Sequence, residues 1–321
     1  MSIRQSILLA LIALAPVAAA QDYPSRPIRF IIPYPPGGGT DTVARLLNPH
    51  LIERLGQQIV IDNRGGANAI VGTDIAAKAT PDGYTMLFCL PANLVINPAY
   101  YAKLPYEPSR DFTSVIHLDN LAFMLTVNPS LPVKTVADLI NLARAKPGQL
   151  NFGSSGLGSS PQMASELIKV MAKVNMVHVP FRGGGPALAA LMAGEVQFWV
   201  GTVISQLPHV KSGRLRAVAV TTKNRLASLP DLPTIGETLP GYESVIWHGV
   251  VVPKGTPAAI VRQLNAAFNS VLRLPEIAKR LRNSGVEPVG GTPEEFAALI
   301  KSETVTYAKL LKEIGMAGTA R

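Results

Sequence analysis

One cysteine, Cys89, and two tryptophans, Trp199 and Trp247, are all that 321 residues contain of these types. A chain with a single thiol carries no internal disulfide, so even in an oxidising compartment its core must hold it together. Cys89 lies inside the apolar run Tyr84 to Leu90 with no histidine or cationic cluster beside it, which reads as a buried, inert thiol. Charge is sparse as well, at 16% of residues, and the formal excess of +9 is spread along the chain. The densest basic run, Lys279-Arg280-Leu281-Arg282, has the look of a solvated helix face, so the sequence offers no stripe for nucleic acid. After residue 20 no apolar stretch approaches the roughly 20 residues that a membrane-spanning helix needs.

What is present is a leader and an alternating α/β pattern. Arg4, the apolar block Ile7 to Leu14, Pro16 and the small run Ala18-Ala19-Ala20 read as a secretory signal peptide cleaved after about Ala20. Residue 21 is Gln, so the mature N-terminus offers no thiol for a lipid anchor, and a freely diffusing exported protein is expected. Beyond it, strand-like runs are expected at Ile28 to Ile32, Ile59 to Ile61, Tyr84 to Cys89, Phe123 to Val127, Leu150 to Phe152, Met176 to Val179, Gln197 to Val200, Leu215 to Thr221 and Val245 to Val252. Helical segments lie between most of them, which predicts an α/β fold with largely parallel sheets covered by helices. The first helix, Asp41 to Leu55, contains Pro49, which is expected to bend or break it. The runs ending at Asn128-Pro129 and at Pro253-Lys254-Gly255 read as two crossings between lobes. The expected division is a first lobe from 21–125 plus 246–321 and a second from 126–245.

Three glycine-rich turns link a strand to a helix. The first is Pro33-Tyr34-Pro35-Pro36-Gly37-Gly38-Gly39-Thr40-Asp41, the second Gly153-Ser154-Ser155-Gly156-Leu157-Gly158-Ser159-Ser160, and the third Pro180-Phe181-Arg182-Gly183-Gly184-Gly185-Pro186. Bare amides at a helix start, together with the helix dipole, suit an anion. Each turn also reads as a tight connection with no ligand, and Arg182 as either a surface charge or a ligand contact. If the first two turns lie on opposite lobes, they can clamp one carboxylate between them.

Enzyme motifs fail. Gly156-Leu157-Gly158-Ser159-Ser160-Pro161 has proline where a dinucleotide fingerprint needs its third glycine, and Leu157 spoils the nucleophile-elbow spacing. The five histidines, His50, His117, His178, His209 and His248, show no metal-ligand spacing. Neither a cofactor nor a metal is expected. A hydrolase using Ser155 or Ser159 would lack a positioned base. Trp199, Trp247, Tyr100 and Phe88 suit either an aromatic cleft wall or core packing.

Taken in order, several motifs resemble one family. They are Tyr23-Pro24-Ser25-Arg26-Pro27-Ile28, the Pro33 to Asp41 loop, Val60-Ile61-Asp62-Asn63-Arg64 with Gly66-Ala67, Pro81-Asp82-Gly83-Tyr84-Thr85 and Gly153 to Ser160. His178-Val179-Pro180-Phe181-Arg182-Gly183, Ala193-Gly194-Glu195-Val196, Pro233-Thr234-Ile235-Gly236-Glu237 and Pro253-Lys254-Gly255-Thr256-Pro257 follow. The chain is similar to the solute receptors of tripartite tricarboxylate transporters, the TctC or Bug group of periplasmic binding proteins. That resemblance implies a two-lobed Venus flytrap of type II-like form with two crossover segments. It also implies a carboxylate held by main-chain amides and waters, with the ligand-binding set Tyr34, Pro36, Gly37, Gly38, Gly39, Thr40, Asp41, Ala67 and Asn68 from the first lobe. Ser154, Ser155, Gly156, Gly158, Ser159, Ser160, Phe181, Arg182, Gly183, Gly184, Gln197 and Thr202 come from the second. The implied partners are a small carboxylate ligand and the large and small integral-membrane permease subunits, with the receptor a periplasmic monomer that binds no nucleic acid. The alternative is a receptor that signals to a membrane sensor kinase. Gln197 stands where relatives often have Asp, which suggests a plain organic acid over an amino acid. Phe181 replaces a frequent Tyr, and Asn68 and Ala69 replace glycines.

Overall fold

The computed structural model describes residues 23–313 and 316–319, and the leader at 1–20 lies outside the described residues. Ten strands are β1 (Ile28–Ile32), β2 (Ile59–Asn63), β3 (Thr85–Cys89), β4 (Phe112–Val127), β5 (Asn151–Ser154), β6 (Val177–Pro180), β7 (Phe198–Thr202), β8 (Arg216–Val220), β9 (Val245–Pro253) and β10 (Val286–Pro288). The helices of eight residues or more are α1 (Gly39–Leu55), α2 (Ile70–Ala77), α3 (Val136–Ala145), α4 (Ser160–Ala172), α5 (Gly184–Ala193), α6 (Val203–Lys211), α7 (Ala258–Leu272), α8 (Pro275–Arg282) and α9 (Pro293–Glu313). The chain therefore has a mixed α/β architecture in two lobes. Among the described residues, no helix is long and apolar enough to cross a membrane.

Strand β4 pairs with two separate groups of strands. Its Phe112 to Ala122 portion pairs antiparallel with β9, which continues through β3 to the parallel trio β3, β1 and β2. Its remaining portion, Phe123 to Val127, is flanked by β7 and β8, both antiparallel, and β7 leads on to the parallel strands β5 and β6. Only Phe123 to Val127 was expected as strand. The earlier half escapes notice because Thr113, Ser114, His117, Asp119 and Asn120 interrupt its apolar pattern, and two register shifts against β9 blur the alternation further.

Helix α1 runs unbroken through Pro49 and ends at Gly56 in the left-handed conformation. The expected break does not occur. Pro49 removes one backbone donor and crowds the preceding turn, but the residue is exposed while Leu47, Leu51 and Leu55 bury the opposite face in the core. That burial offsets the local cost.

Candidate functional site

In an α/β sheet, ligands bind beyond the carboxyl ends of the parallel strands. Here β1 feeds α1, β5 feeds α4 and β6 feeds α5, each through one of the glycine-rich turns. The first residues of all three helices, Gly39, Ser160 and Gly184, line one cavity of 50 Å³. The residues just before α1 and α5, Gly38 and Gly183, have no side chain to cap either end, so no cap accepts from their leading amides. Three positive helix ends therefore converge on one small space, the arrangement that favours an anion.

The cavity wall supplies side-chain donors as well. Among the described residues, Ser160 Oγ and Trp199 Nε1 are both buried without a hydrogen-bond partner, and both residues line the cavity. Buried donors of this kind are uncommon in folded proteins and mark a place where a further acceptor belongs. Tyr34 and Ser155 line this cavity and also an outer one of 210 Å³, which adds Ala67, Asn68, Gly156, Phe181 and Arg182. Burial raises the pKa of the Tyr34 phenol, which keeps its proton. Asn68 Oδ1 is buried with no partner among the described residues, while its Nδ2 donates to Asn97 Oδ1 at 2.8 Å. Among the described residues neither cavity is lined by Asp or Glu, and the single charged lining residue is Arg182.

The lobes meet through residues without side chains. A Cβ on Gly39 would overlap the Thr202 side chain, one on Gly183 would strike the Pro35 ring, and one on Gly158 would strike Tyr100. Gly38 and Gly184 approach closely enough that a Cβ on Gly38 would sit 3.7 Å from Gly184 Cα. Pro36, Gly37 and Gly183 thus belong to the seam between the first and third turns and do not line either cavity.

Four other expected site residues are committed elsewhere. Burial works to raise the Asp41 pKa, but hydrogen bonds from Arg45, the Gly37 amide and Asn63 Nδ2 outweigh it and hold the carboxyl below its ordinary range. Asp41 braces the first turn from within its own lobe. Ser154 Oγ lies 2.5 Å from His178 Nε2, and the imidazole is kept neutral by burial and by Lys169, with its pKa near about 4. Ser159 caps α4, accepting from the Gln162 amide and donating to the Gly156 carbonyl at 2.6 Å. Gln197 accepts from the Asn151 amide at 2.8 Å, at the end of β5 remote from the turns. It lines neither cavity, so it sits away from any ligand held there.

Of the four aromatic candidates Trp199 alone lines the inner cavity. Trp247 Nε1 donates to Glu303 and Phe88 is packed in the core. Tyr100 stacks edge-on with Tyr101, and Tyr101 reaches the outer cavity. Sequence reasoning missed Leu90, Ala92, Phe123 and Ile246 in the inner wall. Leu90 and Ala92 follow the carboxyl end of β3, so the same strand-end rule points to them.

Comparison with known proteins agrees with this architecture. The family model described as "Tripartite tricarboxylate transporter family receptor" matches residues 43–316. A protein of Pseudomonas sp. (strain P51), described as a UPF0065 protein in the tcbD-tcbE intergenic region, is 41% identical over 91% of this chain and 87% of its own length. Among solved structures, R. palustris Rpa4515 with adipate is 38% identical with a TM-score of 0.89, covering 92% of this chain and 99% of that one. MatC (Rpa3494) from Rhodopseudomonas palustris with bound malate is 31% identical with a TM-score of 0.85, covering 90% and 100%. The chain belongs to the tripartite tricarboxylate transporter receptor family, a group of two-lobed periplasmic solute-binding proteins.

Proposed function

We propose that this protein is an exported periplasmic receptor that captures a small organic carboxylate between its lobes and delivers it to the large and small membrane subunits of a tripartite permease. The observation that carries the reading is the convergence of three helix starts and two unpartnered donors on a cavity with no acidic lining. An anion gains there what an ammonium group would not, which favours organic acids over amino acids independently of Gln197. The adipate and malate held by two structural relatives point the same way.

The energetics suffice. Hydrogen bonds to charged groups contribute roughly 1.5–3 kcal/mol each, so four or five, less ordering costs, reach the roughly 8 kcal/mol of micromolar binding. Those donors come from turns on both lobes and act together when the lobes are shut, so closure reports occupancy. We assign the first lobe to 21–125 plus 246–321 and the second to 126–245. The change of β4 partners near Phe123 supports that division.

The test is thermal-shift screening of a carboxylic-acid library, adipate and malate included, on protein first unfolded and refolded to strip carried-over ligand. One or more acids should raise the midpoint in proportion to log concentration. A library that leaves the midpoint unmoved, with amino acids raising it instead, would sink the reading.

A further inference from the structure

Beneath the inner cavity lies a buried chain of three polar residues. Thr40, at the start of α1, lines the cavity and is 8% exposed. Its Oγ1 lies 3.3 Å from Nε2 of His248, and on the other side of that ring Nδ1 lies 3.1 Å from Oδ1 of Asp119. His248 and Asp119 face each other in register on β9 and β4, and both are fully buried. Their contact has the length of an ion pair without the alignment of a hydrogen bond, and neither Asp119 oxygen accepts a hydrogen bond among the described residues. An ionised carboxylate so far from water is costly unless a cation stands beside it. The His248 ring stands where such a cation belongs.

The proton on Nε2 sets the polarity of Thr40. When Nε2 is bare it accepts the Thr40 O–H, and the hydroxyl presents lone pairs to the cavity, which repel a carboxylate. When Nε2 carries hydrogen it donates to Oγ1, and the Thr40 O–H turns into the cavity as a donor. The inner cavity has no cationic lining residue, since Arg182 lies in the outer one.

We propose that Thr40 is a carboxylate donor switched on by proton uptake at the Asp119–His248 pair, so that anion capture and capture of one proton are linked. This rests on the receptor reading above and extends it to a named residue and a pH dependence. The other titratable and aromatic groups on the elements around His248 do not compete for the role. His117, on β4, is held neutral by burial despite the nearby Asp119, and Phe88 on β3 presents its ring edge-on at 4.8 Å. On α1, Asp41 and Arg45 are engaged with each other. Cys89 on β3 is buried with its thiol pKa pushed up.

By linkage, a bound state holding more protons loses affinity as pH rises. Titration calorimetry of the refolded full chain with adipate, malate and any library acid that binds, between about pH 7 and 9 where carboxylates are ionised, reads this directly. Affinity should fall several-fold per pH unit, toward a limit of tenfold, and heats in phosphate and Tris buffers should differ by up to one proton per ligand. Thr40→Ser, which keeps the hydroxyl, should retain the pH slope and the buffer-dependent heats that Thr40→Val loses. Thr40→Val, which leaves the buried pair in place, should bind at least tenfold more weakly with no proton uptake. His248→Gln, if it folds, should bind with a flat pH profile. A flat, buffer-independent wild-type profile, or a pH dependence that persists in Thr40→Val, overturns the inference while leaving the receptor reading intact. Failure of every acid to bind overturns both.

Discussion

Gly39 shows how much of the site rests on the absence of one atom. Its backbone is helical, so alanine there costs nothing in conformation and gains helix propensity. A methyl group on it would nevertheless overlap the Thr202 side chain across the seam. Gly39→Ala should therefore weaken binding of whichever acid the screen returns by at least tenfold, about 1.4 kcal/mol, without lowering the thermal midpoint of the free protein. Thr202→Ala in the same chain should recover part of the loss, because it removes the atoms that the new methyl meets. Both are read by calorimetry, and an unchanged affinity in Gly39→Ala would show that the closed seam is not the binding-competent form. Glycine in such a turn was legible as permission for close approach. Which neighbour does the approaching was not, since Thr202 is far away in sequence and carries no motif.

At the scale of elements, α4 and its turn illustrate both what sequence conveys and where it stops. Ser159 looked like a ligand hydroxyl because it sits among glycines at a helix start; in the fold the same hydroxyl is the helix cap and a brace on Gly156. Ser159→Ala should destabilise the protein by about 1–2 kcal/mol, measured by urea denaturation, with Ser159→Thr close to wild type. Equal stability of the alanine variant would mean that the cap contributes nothing. Strands β1, β3 and β9 and helix α1 could be read to within two residues from apolar runs and punctuation, because each is a local pattern. β10 escaped because three residues carry no period. The Asp119–His248 pair escaped for a different reason: its members are 129 positions apart and meet only because β4 and β9 pair in register. Motif spacing along one segment holds no trace of such a pair.

For the whole molecule the decisive feature is that two strands carry both crossings. Phe123 and Ile246 line the inner cavity, whereas their neighbours Ala122 and Val245 line a second space of 470 Å³ together with Ala227, Ser228, Lys279 and Arg282. This second space shares no lining residue with either cleft cavity and sets the loop around Leu226 to Ser228 against α8 and β10, so we take it to lie behind the crossing. If the lobes rotate about β4 and β9, opening the cleft narrows the rear space and closing the cleft widens it. A large side chain placed in the rear space then opposes opening. Ala227 is exposed at its rim and belongs to the second lobe, facing α8 of the first, so Ala227→Trp adds bulk without disturbing the core. The variant should bind carboxylate several-fold more tightly than wild type, because a ligand that selects the closed form no longer spends affinity on reaching it. Small-angle scattering of the stripped protein should show a smaller radius of gyration for the variant, and ligand should shrink it further by less than it shrinks the wild type. Unchanged affinity together with unchanged scattering would mean that the lobes do not pivot on these strands, and the closure mechanism would have to be sought in the segments that flank them.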